Sequence, residues 1–222
     1  MAYNLDFSVV IDRLPELLIA CAATIGLAIA GMALATVIGV LGVIARRSTI
    51  KPLRAAVIAF VEIIRNTPFL VQIFFVFFAL PQIGLRLNPT ATAIIALALN
   101  GGAYAIEIIR GGVDAIPKGQ VEAGLALGLH KAQIFRHIIL KPALRTVYPS
   151  LTSQFIMLTL TTSVCTSIAA FELTSVAQKI EADTFRSFEV YFSITLLYLV
   201  ISGLMMGVFG LISRLSFNYP VK

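Results

Sequence analysis

Long apolar runs and short charged clusters alternate along this chain. Residues 17–45 carry no charge, 55–80 only Glu62 and Arg65, 91–109 only Glu107, and 148–170 and 190–212 again none. Each run approaches or exceeds the ~20 residues an α-helix needs to cross the ~30 Å hydrocarbon core of a bilayer. Lipid offers an open backbone no hydrogen-bond partner, so the pattern predicts an all-α membrane protein with five transmembrane helices in a single domain, 1–222. The breaker-rich "PQIGLRLNPT" separates the second run from the third. A different pattern fills 171–184. Leu173, Val176, Ala177 and Ile180 share one helical face, and Glu172, Gln178, Lys179, Glu181 and Asp183 occupy the rest. Such a helix rests on the membrane surface, offers a docking face, or does both.

The longest polar interval, 110–147, is too long for a tight turn and has its own pattern. Pro117 suits a first helical turn, Val121, Leu125 and Leu129 recur at helical spacing, and Gly128 suits a helix end. A second helix is expected from Lys131, with Ile134 and Ile138 on one face and Lys131, Arg136 and His137 elsewhere. Two short helices meeting at a glycine either lie against anionic lipid or lodge in a groove of a protein partner. Glu122 and the second apolar stripe favour the partner.

Composition agrees with the pattern. The chain is 59% hydrophobic and 13% charged, against roughly 45–50% and about 25% for a soluble domain. A net charge of +6 raises the question of nucleic acid, but the basic residues sit at span ends, which argues against it. Counted by alternating loops, Arg46, Arg47, Lys51, Arg54, Arg110, Lys118, Lys131, Arg136, Lys141, Arg145, Arg214 and Lys222 fall on one side, and Arg13, Arg86, Lys179 and Arg186 on the other. The first side is expected to be cytoplasmic, which puts the N-terminus in the periplasm, the C-terminus in the cytoplasm and 110–147 inside the cell. A cleavable leader needs a basic head, whereas the segment before the first span carries Asp6, Asp12 and Glu16 against Arg13, so the N-terminus is expected to stay attached. Cys21 and Cys165 lie in apolar runs and read as small packed residues. The sequence contains no phosphate-binding G-x-x-x-x-G-K-[ST], no H-E-x-x-H and no G-x-S-x-G, and His130 and His137 have no third ligand in view. No catalytic or metal residue is assigned, and the chain is not expected to bind ATP through such a loop.

The stretch "EAGLALGLHKAQIFRHIILKP" resembles the EAA loop of bacterial ATP-binding-cassette importer permeases, with Glu122, Ala123, Gly128, Ile138 and Leu140 in matching places. Gly124 stands where the second Ala is usual. Lys141 holds the usual Pro position, with Pro142 one residue later. "FVEIIRNTPFLVQIFF", "AYAIEIIRGGVDAIPKGQVEAGLALGL" and "FRSFEVY" extend the likeness to the histidine and glutamine branch of polar amino acid permeases. The resemblance implies a permease subunit in the bacterial inner membrane, paired with a second permease subunit, the same chain or a sister. It also implies two cytoplasmic ATPases that carry ATP and Mg and grip the EAA loop, and a periplasmic amino-acid-binding protein. Glu122, Ala123, Gly124, Gly128, Ile138, Leu140 and Pro142 are then the coupling residues. Leu160 and Thr161 occupy positions where the family commonly has Lys-Asp or Lys-Asn, which favours a neutral or acidic substrate over a cationic one.

Polar groups inside the spans are candidates for function. Glu62 and Arg65, three apart, are expected to neutralise one another beside a kink at Asn66, Thr67 and Pro68, which makes Glu62, Arg65 and Pro68 a hinge brace. Asn100, Tyr104 and Glu107 share a face of the third span, and pairing with Arg110 explains Glu107 equally well. The fourth span carries Thr152, Thr159, Thr162, Ser163 and Thr166 as a stripe, with Gln154 and Thr161 nearby. Membrane hydroxyls often bond only their own backbone. Their number here favours a polar substrate passage formed by Asn100, Tyr104, Glu107, Thr159, Thr162, Ser163 and Thr166. Small residues at Gly31, Ala35 and Gly39, and at Gly203 and Gly207, suit helix contacts, within one chain or between two. The rival reading is an ion-coupled secondary amino acid transporter with Glu107 as its proton site. It fits less well, because Glu107 lies near the membrane edge and no inverted repeat is visible.

Overall fold

A computed structural model describes residues 4–217, and Lys222, one of the basic residues counted above, lies outside that range. In chain order the helices are α1 (Ser8–Ile11), α2 (Leu14–Arg46), α3 (Lys51–Arg65), α4 (Phe69–Gln82), α5 (Pro89–Asp114), α6 (Lys118–Ala126), α7 (Lys131–Ile134), α8 (Leu140–Thr161), α9 (Leu173–Thr184) and α10 (Ser187–Ser216). A π-helical turn, Phe135–Ile139, joins α7 to α8, and a 3-10 segment, Thr162–Ile168, extends α8. Among the described residues four helical rods, Leu14–Arg46, Pro89–Asp114, Lys131–Ile168 and Ser187–Ser216, are long and apolar enough to cross a membrane, or five if the bent α3–α4 pair counts as one.

Three of the sequence-expected spans map onto single helices, α2, α5 and α10. The other two do not. The run expected as one span over 55–80 is two helices bent by 117°. The fourth expected span, 148–170, is the continuation of a longer helix. It belongs to a helical rod that begins at Lys131, so the second helix of the polar interval is the foot of the span. The interval is therefore one short helix, a glycine turn and the start of a long helix, in place of two short helices.

The centre of the bundle is the α2–α5 seam, built from residues too small to keep the backbones apart. Without a hydrophobic force between helices in lipid, such close approach is what dispersion contacts require. A Cβ added to Gly39 would stand 2.7 Å from Cβ of Ala105, and one on Gly31 3.0 Å from Cβ of Leu97. The Gly31, Ala35, Gly39 stripe thus packs inside the chain. Gly203 and Gly207 meet nothing within 4 Å.

At one end, α9 closes a second cluster. Its Leu173, Val176, Ala177 and Ile180 are buried with Leu17, Ala20, Val190, Ile194 and Ile201 of α2 and α10. The apolar face expected from the sequence is covered by protein rather than by lipid.

Candidate functional site

The break between α3 and α4 is explained by its residues. Pro68 has no N–H and disfavours helix at the residue before it, so α3 ends and its last carbonyls need donors. Asn66 Nδ2 donates to Glu62 O at 2.7 Å, Thr67 Oγ1 to Ile63 O at 2.8 Å, and Gln72 Nε2 to Ile64 O at 2.7 Å. Gln72 also lies 2.9 Å from Thr67 O and accepts from Asn100 Nδ2 at 2.9 Å, which ties the break to α5. The expected Glu62–Arg65 pair is not formed. Arg65 instead sits over the ring of Tyr104, 5.5 Å from its centroid, and the Glu62 carboxylate accepts from Asn66 at 3.2 Å. An exposed pair three residues apart gains little in water, whereas the aromatic face holds the guanidinium against α5.

Of the proposed passage, α5 supplies Asn100, Tyr104 and Glu107, and each is engaged within the protein. Asn100 is buried on Gln72, Tyr104 lies under Arg65, and Glu107 is held by Arg46 of α2 and by Arg110, the latter at 2.7 Å. Arg110 also pairs with Asp114 at 2.9 Å, and Asp114 with Arg47. This chain of five alternating charges locks α2 to α5 where α5 hands over to α6. The hydroxyls of α8 turn back on their own helix. Thr159 Oγ1 donates to Phe155 O, Thr161 to Met157 O, Thr162 to Thr159 O and Ser163 to Leu160 O, at 2.7–3.0 Å, while Thr166 donates to Gln178 of α9 at 3.0 Å. Thr159 and Thr162 are fully buried. These hydroxyls are thus satisfied within the chain, while Thr161, Ser163 and Thr166 stay partly exposed.

The α6 segment is built around two glycines. Gly128 has φ +76°, a left-handed backbone that only glycine adopts at no steric cost. Leu129 N donates to Gly124 O and Gly128 N to Leu125 O across that turn. At Gly124 a Cβ would stand 2.6 Å from Cδ1 of Ile138 and 3.1 Å from Cγ1 of Ile134, so α6 rests directly on the foot of the long rod. The glycine in place of alanine lets the two helices meet at this close distance. His130 caps α7 by accepting from Gln133 N while its own N–H reaches Gln133 Oε1, and His137 Nδ1 lies 3.0 Å from Gln133 O. Pro142 sits in the first turn of α8 directly after the π-helical turn, where its missing N–H coincides with the slipped ladder. Glu122 is exposed, and Leu125 and Leu127 flank the Gly128 turn 55% and 80% exposed.

The chain matches the model of the binding-protein-dependent transport system inner membrane component over residues 38–217. It belongs to that family. Among relatives of this permease, the glutamine transport system permease protein of Escherichia coli K12 is 38% identical over 199 residues, covering 89% of this chain and 91% of that one. The L-cystine transport system permease protein of Bacillus subtilis is 37% identical over 201 residues, covering 90% and 86%. A solved amino acid ABC transporter crystallised with histidines superposes with a TM-score of 0.89 at 29% identity, covering 96% of this chain and 99% of that one. The permease is accordingly a multi-pass protein of the bacterial inner membrane.

Sequence reasoning missed Gln72, the polar residue that completes the break. A lone Gln in "FLVQIFF" was its signal. It also placed Glu172 on the solvated face of α9. Glu172 is fully buried, accepting from Thr174 N at 2.8 Å, Ser175 N at 2.6 Å and the Tyr198 hydroxyl at 2.9 Å. Burial pushes its carboxyl above the ordinary value of 4.5 despite those donors. A carboxylate immediately before a helix reads as an N-cap, and that signal was available.

Proposed function

We propose that this permease is the transmembrane subunit of an ATP-driven, binding-protein-dependent amino acid importer, with the α6 end in the cytoplasm. Two permease subunits, identical or sister chains, would enclose the pathway, and a periplasmic binding protein would deliver the amino acid. The segment from Glu122 to Pro142 would be gripped by a cytoplasmic ATPase, which would carry ATP and Mg. The observation that carries this reading is the pair of leucines, Leu125 and Leu127, left exposed at a rigid glycine turn whose other side packs on Ile134 and Ile138. Anchors of that kind enter a partner's groove, with a rim charge such as Glu122 setting register. Because Ile134 and Ile138 stand at the foot of the rod that runs to Ile168, a push on α6 would tilt a membrane span. Gln72 and the α3–α4 break would act as the hinge. Substrate contact would be made between subunits, since Asn100, Thr159 and Thr162 are already satisfied inside this one. A neutral or acidic amino acid remains the favoured cargo.

Purification in mild detergent tests the assignment. An ATPase retained in roughly equal amount, with uptake of labelled amino acid that needs ATP and the binding protein, is the expected result. Uptake driven by an ion gradient with no ATPase present would establish the secondary transporter instead. Glu107, already held by Arg46 and Arg110, is poorly placed to cycle a proton.

A further inference from the structure

The elbow between α3 and α4 lies inside the bilayer, and its own chain leaves it open. Gly31 is the midpoint of the uncharged run 17–45, and Leu97 is its neighbour across the α2–α5 seam. Tyr104 follows Leu97 by two turns of α5, about 10 Å from that midplane, where the hydrocarbon reaches ~15 Å to either side. Arg65 stands over Tyr104 and Gln72 accepts from Asn100, so the break at Asn66, Thr67 and Pro68 is held at the same depth, within the hydrocarbon. Yet Glu62, Arg65, Asn66, Thr67 and Pro68 are all exposed. Irregular backbone and ionised side chains at this depth do not face lipid. They are covered by protein or line water that protein encloses.

We propose, resting on the two-subunit reading above, that a second copy of this permease covers the elbow with its own elbow. Charge selects the copy. The patch carries an acid and a base that do not pair with each other: the Glu62 carboxylate accepts from Asn66 at 3.2 Å, and Arg65 lies over a ring. About a two-fold axis every contact of one residue with another is repeated in reverse, so Glu62 of each copy faces Arg65 of the other and the patch is its own complement. In a low-dielectric surrounding these crossed pairs answer both charges, which an acyl chain cannot do. Shape agrees. A cavity of about 510 Å³ opens beside the break, walled by Phe60, Ile63, Val71, Phe75 and Leu99 from three helices, and it has room for apolar side chains of the facing copy. The rival surface is the glycine face of α10, with Leu199 exposed and Gly203 and Gly207 meeting nothing within 4 Å, but it holds no charged group that lipid would refuse.

The test uses the permease with its ATPase in native membranes, in a C21A/C165A background that removes the native thiols, with single cysteines joined by a short bismaleimide. T67C is expected to give a covalent permease dimer and L199C, on the glycine face of α10, to give none. An adduct at L199C equal to or above that at T67C overturns the elbow, and a T67C adduct with a different chain overturns the copy as its occupant. Added to T67C, E62R sets base against base and is expected to lower the adduct about tenfold or more, whereas E62R/R65E restores the complement and the yield. Equal loss in the single and the double variant overturns the crossed pairs. If E62R does not insert, R65E is read in the same way. Native mass spectrometry of the wild-type transporter separates the two readings: one permease per transporter removes the two-subunit reading and the elbow with it, and two permeases without a T67C adduct remove the elbow alone.

Discussion

The two short helices of this permease, α6 and α9, treat their apolar side chains in opposite ways. Each follows a long membrane rod after a bend. The stripe of α9 is wholly covered by α2 and α10, and its N-terminus is closed by a buried carboxylate, so the chain completes it alone. The contact of α6 with its own chain is narrower, made by Gly124 on Ile134 and Ile138, and its larger leucines stay outside. Under the coupling role proposed above, the difference separates a part of the fold from a surface that a partner would cover. The permease should therefore lose stability when α9 is altered and lose assembly when α6 is altered.

The largest effect is expected at the α6 turn. Gly128→Pro imposes φ near −65° on a residue at +76° and removes the N–H that bonds Leu125 O. Transport of labelled amino acid should fall to background and ATPase activity should stop responding to the binding protein, with insertion unchanged. Glu122→Lys, which reverses a rim charge without touching the turn, should do the same. Normal uptake by both variants would remove the coupling role from α6.

Next come paired substitutions that set the two helices against each other. Ile180→Ala in α9 empties a fully buried site and should cost about 2–5 kcal/mol, read as a lower unfolding temperature of the purified permease. Leu127→Ser at the C-cap of α6 should leave that temperature unchanged and weaken ATPase retention by about 5- to 150-fold, at about 1–3 kcal/mol for an interface anchor. If Leu127→Ser melts the permease and Ile180→Ala sheds the ATPase, the comparison is inverted.

The sequence carried the membrane class, the α6–Gly128 turn and the inner face of α9, because each is written in a local pattern of apolar residues and glycine. It did not carry the pairing of charges. Glu62 and Arg65 are neighbours in sequence, yet Arg65 is claimed by Tyr104, a residue brought near only when α3 docks on α5. The α8 hydroxyls show the same limit. Their shared face is readable, but whether it lines a passage depends on which acceptor is nearest, and the nearest is the carbonyl three or four residues back. Glu107→Gln sharpens this point. It removes the acid between Arg46 and Arg110, whose side chain is 17% exposed, and should cost about 1–3 kcal/mol of stability. Uptake per folded transporter should be largely kept, whereas a proton site would lose it.

The smallest effect is a slope with pH, and it belongs to the two ends of α9. Glu172 has its carboxyl raised by burial, so between the ordinary value of 4.5 and its raised value the folded permease holds a proton that the unfolded chain has released. Stability linked to this group is fully present below 4.5 and is lost as pH rises through the raised value. Glu181, at the other end of α9, works in the opposite sense. Hydrogen bonds from Ser187 and Tyr191 lower its carboxyl, so its contribution is present above 4.5 and is lost as pH falls through the lowered value. The two windows lie on either side of 4.5 and do not overlap. Unfolding temperature measured from pH 7 downward should therefore first rise as Glu172 takes up its proton and then fall as Glu181 does. Glu172→Gln should abolish the rise and leave the later fall. A rise that survives Glu172→Gln would mean that the proton is taken up elsewhere and that the α9 cap is ionised throughout.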